Sequence, residues 1–355
     1  MKNFFLRFLP AFLIACLVAA PGLQASHMSF TDGLLNLNTV EDSKTYSSIY
    51  GRFDMDDGYD KFSVAYRLNM NSINDVDGSS DNSFSRLGLY IKVFNHNAAS
   101  DEGVPFQELV IQLNGEVKLI NYNDLYFRLS DVSISAQQPT EIFALDTADI
   151  KDMLAYFEDT WFYINLGELN DTTYGQDIPA EVYKEWEAQL QGDPRDFLTS
   201  AFEYGVRQEA ADMMTEEEIQ SILGAFESFL TTQFFNIREV ISGPNTGFDF
   251  FYLNRVKLAG WIENLANELG NPMPDADIAQ MREDLGKITL SGIYRVNEVS
   301  GLLDNFLLRF KLREVEGLDN LEVNYRVKLA DVNKDNVINA PTVYEDFQTF
   351  MEGIM

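Results

Sequence analysis

The chain has 355 residues, 46% of them hydrophobic and 13% aromatic, and its 56 acidic against 26 basic side chains give a formal net charge of −30. That apolar content excludes a disordered chain. The charge repels phosphate backbones, so nucleic acid is a poor partner and none is expected, and it disfavours docking onto an anionic lipid surface by charge alone.

In chain order, Lys2 and Arg7 give a basic start, residues 8–20 are almost unbroken apolar sequence, and Pro21-Gly22 precedes the small-residue exit Leu23-Gln24-Ala25. This is the pattern of a removable secretory signal, so residues 1–25 are expected to be cleaved. The protein is then expected to be exported, to the periplasm, the cell surface or the medium. The apolar run is too short to span a bilayer, which takes ~20 residues. Leu13-Ile14-Ala15-Cys16 also matches a lipobox, so two termini stay open. Cleavage after Ala25 gives a freely diffusing protein, and lipidation of Cys16 gives one tethered to a membrane. Cys16 is the chain's one cysteine, and loss of Lys2 and Arg7 takes the charge from −30 to −32. Cleavage after Ala25 leaves no disulfide, thiolate metal site or thiol nucleophile. The remaining chain, about 330 residues, is long enough to bury roughly three quarters of its unfolded surface.

From about 45 to 135 apolar and polar residues alternate. Phe62, Val64, Tyr66, Leu68 and Met70 share one face, as do Leu87, Leu89, Ile91 and Val93, then Leu109, Ile111 and Leu113, then Leu125, Phe127 and Leu129. Period two means strands with one buried and one wet face, and the Asp-, Gly- and Asn-rich joints make them an antiparallel meander. From about 139 to 235 the period changes. Helices are predicted at 180–191, 194–211 and from Thr215, where Glu218 completes a capping-box spacing. Ile219, Ile222, Leu223, Phe226, Phe229 and Leu230 form one stripe of that last helix. Strands return at 237–254 around the turn 243–247. Helices are predicted at 255–269 and 275–286, and then strands through Ile288–Val296, Phe306–Leu312 and Val323–Leu329. No linker or internal repeat appears, so 29–349 reads as one domain with a helical insertion at about 139–235.

The last hundred residues carry a family likeness. Phe248 to Asn254 runs into the helix from Arg255, the second helix leads to Gly286-Lys287-Ile288 and on to Val296, and Val323 to Asp331 precedes Val337-Ile338-Asn339-Ala340-Pro341. This order resembles the exported lipoproteins related to mycobacterial LppX and LprG, which share their architecture with the lipoprotein carrier LolA. The likeness covers about 45–341 and includes no catalytic motif. It implies an α+β fold in which a strongly curved antiparallel sheet forms a half-barrel, with helices across its concave side and lipid acyl chains held between. On that basis Phe197, Phe202, Ile222, Phe226 and Phe229 are the expected ligand-lining residues, and the partner is a lipid or other hydrophobic small molecule. A half-barrel packed solid, acting as a structural or interaction module, is the alternative.

Chemistry-bearing motifs are scarce. The two histidines, His27 and His96, offer no Ser-His-Asp arrangement, and no Gly-x-Ser-x-Gly or His-Glu-x-x-His occurs. Asn170-Asp171-Thr172 is a glycosylation sequon, discounted because the signal has a bacterial pattern. The expectation is a non-catalytic, monomeric binding protein with no cofactor and no metal. Asp331, Asn333, Asp335 and Asn339 imitate a calcium loop, which would make a calcium-dependent surface protein. However, Asn336 stands where glycine makes the sharp turn, and Thr342 where a bidentate carboxylate closes the shell. A polar turn between the last two strands is the favoured reading of 331–339. The tail from Val343 reads as a short helix.

Overall fold

The computed structural model describes residues 40, 42–56, 61–77, 80–96, 107–121, 123–137, 154–155, 157–166, 194–210, 215–232, 234–241, 247–268, 272–297, 300–315, 318–332, 334, 337–347 and 349–350. Twelve strands and four helices lie among them, and no helix among the described residues is long and apolar enough to cross a membrane. Helices beside mostly antiparallel strands make the chain α+β. Its described residues fall into two compact units. Residues 1–25, the predicted helix at 180–191 and most of 333–336 lie outside the described residues.

One unit, from the described parts of Asp177–Gly286 and Ser291–Leu303, holds helices α1 (Pro194–Ala210), α2 (Glu216–Thr231), α3 (Arg255–Glu268) and α4 (Asp275–Lys287). With them are strands β7 (Phe235–Ile241), β8 (Gly247–Leu253) and most of β9 (Ile288–Val296). β8 pairs antiparallel with β7 on one side and β9 on the other. The chain turns from β8 straight into α3 at Asn254, whose Oδ1 accepts the Lys257 N–H at 3.1 Å, an N-cap that satisfies one of the helix's orphan donors. Phe235, Phe251 and Tyr294 fill the space over the strands, each at most 2% exposed. Asp249 is buried opposite Tyr294 in the register, and burial first, then the Asp249 charge, pushes the Tyr294 phenol well above its ordinary range.

The other unit, Thr39–Gln176 with Lys287–Leu290 and Asp304–Met355, is dominated by a sheet. Its strands are β1 (Asp42–Asp56), β2 (Lys61–Asp77), β3 (Ser80–Asn95), β4 (Gln107–Ile120), β5 (Asp124–Gln137), β6 (Phe162–Asn165), β10 (Leu303–Val315), β11 (Leu318–Ala330) and β12 (Glu345–Asp346). They run side by side as β12-β6-β5-β4-β3-β2-β1-β11-β10, all antiparallel except β12 on β6. Residues opposite one another share a face, so the register sorts the sequence into two surfaces. Ile49 stands beside Leu68, Leu68 beside Leu89, and Leu89 beside Leu113 on one of them. Arg52, Ala65, Lys92 and Val110 line up on the other.

Two glycines are fixed by close approach. A Cβ at Gly51 would collide with the Glu322 carbonyl and lie 2.7 Å from the Tyr66 hydroxyl. The bare backbone lets Tyr66 cross it and donate to the Glu322 carbonyl at 3.2 Å. Gly115 sits at a bulge between β4 and β5, where a Cβ would come 2.8 Å from the Arg128 carbonyl.

The structure differs from the sequence reading at three places in this unit. The tail from Val343, read as a short helix, instead opens with irregular residues and the two-residue strand β12, whose length is too short to show a period. The section read as helical, 139–235, includes β6, whose four residues are too few to show a period-two signal. The family pattern puts a brief strand at Val337–Ala340, but these residues are irregular. There the Ile338 N–H bonds the Asp75 carboxylate at 3.3 Å, and the Asn339 carbonyl accepts from Lys118 at 2.8 Å, instead of entering a ladder.

The C-terminal segment clamps the β5–β6 end. β12 pairs with β6, Tyr344 packs on Tyr126 and Tyr163, and Phe347 and Phe350 pack on Phe162 at 6.1 and 4.8 Å between centroids. Phe157 and Phe127 complete the ring of contacts, and Phe162 is 0% exposed. Phe162→Ala is expected to cost about 3–5 kcal/mol of stability by opening a cavity among these rings. Denaturant midpoints of the two proteins check this, and the loss is expected to release the β12 pairing.

Candidate apolar binding face

The apolar surface of the sheet is continuous across strands because every strand obeys the same alternation. From Ile49 and Phe53 on β1 it passes through Val64, Leu68 and Met70 on β2, Leu87 to Val93 on β3, and Leu109 to Leu113 on β4. In the other direction it continues through Val323, Tyr325 and Val327 on β11 to Phe306, Leu308 and Phe310 on β10. Burial is uneven along it. Val132, Phe162, Phe306 and Phe310, at the β5–β6 and β10 ends, are each 7% exposed or less. Among the described residues no apolar side chain of β1–β4 is fully buried, and Ile49 and Tyr325 are 37% and 36% exposed. Full burial of one such side chain is worth ~1.5–3 kcal/mol, so this stretch leaves hydrophobic free energy unclaimed. A contiguous apolar patch of this kind is a docking surface in many soluble proteins.

Ser43, Ser72 and Ser85 stand on the same face at one end of β1–β3. Ser72 and Ser85 hydroxyls lie 2.7 Å apart, and Asn74 donates to the Ser43 hydroxyl at 3.1 Å. The face therefore has a hydroxyl- and amide-bearing end beside an aliphatic middle.

The predicted lining residues belong to the helical unit. Phe202 on α1 and Phe226 on α2 stack with centroids 4.0 Å apart, and Phe202 also packs with Val206 against the buried pair Ile219 and Leu223. Ile222 is half-buried on α2. Phe229 lies in a different cluster, 5.0 Å from Phe234 and 5.4 Å from Trp261. Phe197 is on α1, and its side chain, like Cys16, lies outside the described residues. A cleft of about 530 Å³ opens in this unit between α2 and α3, with Ser228, Lys257, Trp261 and Asn264 on its walls. Of the predicted residues whose side chains are described, Phe202, Ile222, Phe226 and Phe229, none lines it.

The opposite face of the sheet is polar and laced with cross-strand ion pairs. Glu116 accepts from Arg86 at 3.1 Å and from Arg128 at 2.7 Å, and Glu322 binds Arg309 at 3.0 Å and Lys311 at 2.6 Å. Burial pushes both carboxyls up, but the hydrogen bonds from their cationic partners outweigh it and hold both below the ordinary carboxylate range. A serine, a histidine and an aspartate meet on this face, which the sequence did not signal. Ser63 Oγ is 2.8 Å from His96 Nε2, donates to Asp54, and accepts from Arg52 at 3.1 Å. In a hydrolytic triad the carboxylate holds the imidazole; here Asp54 holds the serine, and Ser63 is 5% exposed.

At the turn after β11, Asp331 takes a positive φ of 50° and its carboxylate binds Lys44 at 3.0 Å and also Lys334. Hydrogen bonds from Lys334, then Lys44, hold its carboxyl down at about 2. The first oxygen donor of the calcium-like string is thus engaged by two ammonium groups, while Asn333 and Asp335 lie outside the described residues. Among the described residues no group of three His, Cys, Asp or Glu side chains gathers to hold a metal.

No family model matches the chain, and no curated protein matches it. Among solved structures it is similar to a beta-barrel-like protein of a domain of unknown function (DUF1849) from Brucella abortus, at 10% identity over 81% of this chain and 96% of that one. The TM-score is 0.12, too low to carry an argument about fold.

The Asp331 carboxyl is expected to titrate near pH 2 in a carboxyl-detected NMR experiment, against about 3.9 for an ordinary aspartate. Because the folded value is the lower one, the turn's contribution to stability is complete above pH 4 and is lost as pH falls from about 4 to about 2. Lys334→Ala is expected to move the titration up; an unmoved midpoint near 4 in the parent protein would show that the ion pairs do not form.

Proposed function

We propose that the chain is an exported, non-catalytic and monomeric binding protein that carries or senses a lipid or similar hydrophobic molecule on the apolar face of β1–β4 and β11. The observation that carries this proposal is the half-exposed aliphatic middle of a face whose two ends are buried. The half-barrel with helices over its concave side, which the sequence resemblance implies, belongs to the same proposal, as does export through residues 1–25 with or without a tether at Cys16.

The chemistry needs no polar motif. Each acyl methylene removed from water contributes ~0.8 kcal/mol, so ten of them supply about 8 kcal/mol before the cost of ordering the chain and the ligand. The aromatic clamp of Phe157, Phe347 and Phe350 closes one side over β6, so the ligand has the middle strands available to it.

A solid-packed interaction module is the second reading, and the wholly buried Phe162 is the observation that favours it. A calcium-dependent role is not proposed, since Asp331 binds two lysines.

Mass spectrometry of organic extracts from protein purified in its natural host is expected to find a bound amphiphile. The double substitution Leu89→Gln with Leu113→Gln is expected to remove it, with circular dichroism showing that the fold is kept. A parent protein free of lipid and unable to bind an apolar dye would refute the carrier role and leave the solid module.

A further inference from the structure

The polar face of the sheet's central strands inverts the charge of the chain. Three neighbouring rows of that face, through Tyr46, Ser48 and Tyr50 of β1, cross β10, β11, β1, β2 and β3. Their fifteen positions include five cations, Arg67, Arg86, Arg309, Arg326 and Lys328, and no carboxylate. In the chain as a whole acidic residues outnumber basic ones 56 to 26. All five cations are exposed. Arg86 and Arg309 pair with Glu116 and Glu322 at the border of the patch, and each of those carboxylates already holds a second cation. Among the described residues Arg67, Arg326 and Lys328 make no ion pair; Arg67 lies over the Tyr50 ring at 5.8 Å.

The remaining positions have a consistent chemistry. Tyr46 presents its ring to solvent at 45% exposure. Tyr50 and Tyr90 stand on either side of Arg67, and Asn69 and Asn71 are exposed between the cations. Adjacent strands are about 4.8 Å apart and alternate residues about 6.7 Å, so the patch measures about 19 by 13 Å. It is a strip of guanidinium groups, one ammonium, carboxamides, a hydroxyl and aromatic rings, with Gly88 and Leu307 as its two apolar positions.

From this juxtaposition we propose that the polar face of β11, β1 and β2 binds an anionic polysaccharide, a chain of sugar rings bearing carboxylate or phosphate groups. Guanidinium groups match planar carboxylate and tetrahedral phosphate oxygens with paired donors. Carboxamides and the Ser48 hydroxyl both donate and accept, as sugar hydroxyls require, and the Tyr46 ring offers a face for a sugar ring to stack on. Charge complementarity is local, and that sets its salt dependence. At 0.01 M salt the Debye length is about 30 Å and the polymer feels the whole acidic chain, whereas at 0.15 M it is about 8 Å and the polymer feels the patch. Binding therefore rises with ionic strength before it falls.

The test uses the full-length protein on immobilised polygalacturonate, with dextran as the uncharged polysaccharide and polyglutamate as a polyanion without sugar rings. Vesicles of phosphatidylcholine with phosphatidylglycerol supply an anionic membrane. Retention on polygalacturonate alone is expected, strongest near 0.15 M salt. Arg67→Ser with Arg326→Ser is expected to weaken it by about tenfold or more, the loss of two charge-assisted contacts, and Tyr46→Ser to weaken it independently. Arg282→Ser, an exposed cation on α4 outside the patch, is expected to leave it unchanged. Equal retention on polyglutamate or on the vesicles, no retention on polygalacturonate at any salt, or retention indifferent to the paired arginine substitution would each overturn the proposal. Since all substituted side chains are exposed, circular dichroism of each variant is expected to match the parent, and Lys328→Ser serves as a second patch variant read in the same way.

Discussion

Period-two alternation held in register over neighbouring strands is the constraint on which the sheet unit depends. Side chains directly opposite one another fall on the same surface, so a slip of one residue in any strand would turn its whole apolar set toward water. Sixteen consecutive pairs between β2 and β3 and fifteen between β1 and β2 lock that register. The result is one surface of aliphatic and aromatic side chains and another of ion pairs and amides. Both functional proposals, a hydrophobic ligand on one surface and an anionic polymer on the other, follow from that separation.

The two surfaces are stabilised differently. On the apolar side the ends are packed by aromatic rings, as Phe162 is under Phe157, Phe347 and Phe350, while the middle stays half-exposed. On the polar side, ion pairs such as Arg86–Glu116–Arg128 span three strands, and the Arg86–Glu116 pair contributes modestly because Arg86 stays well exposed. Their larger effect is on charge placement. They neutralise the carboxylates bordering the central rows, and the exposed arginines and lysine between them face solvent uncompensated.

Alternation is a local property, which is why the strands through Phe62–Met70, Leu87–Val93 and Leu109–Leu113 were legible in the sequence, as were the helices that became α1 to α4. Neighbourhood between distant strands is not local. Nothing in Ser43–Ile49 announces that β1 lies between β2 and β11, and so nothing brings Arg67 near Arg326 before the register is known. The same holds for Ser63 and His96, joined by the β2–β3 hairpin, and for Phe347 and Phe350, whose partners lie nearly two hundred residues earlier. The stripe on α2 was visible as a helical period, but period cannot distinguish a side chain that lines a space from one that fills it. Phe202 and Phe226 stack on each other at 4.0 Å. The half-exposure of the β1–β4 face was hidden for a related reason, since alternation marks which side is apolar but not how much of it is covered.

A ligand on the apolar face requires that the aliphatic middle of the sheet be open to an apolar molecule while its ends are not. Methyl-detected NMR of the unliganded protein in the presence of a small apolar spin label measures this directly. Strong broadening of the Leu68, Leu89, Ile111 and Leu113 methyl signals is expected, and little at Val132, which is buried at the β5 end. Uniformly sharp methyl signals across the face, or broadening confined to its ends, would contradict that openness.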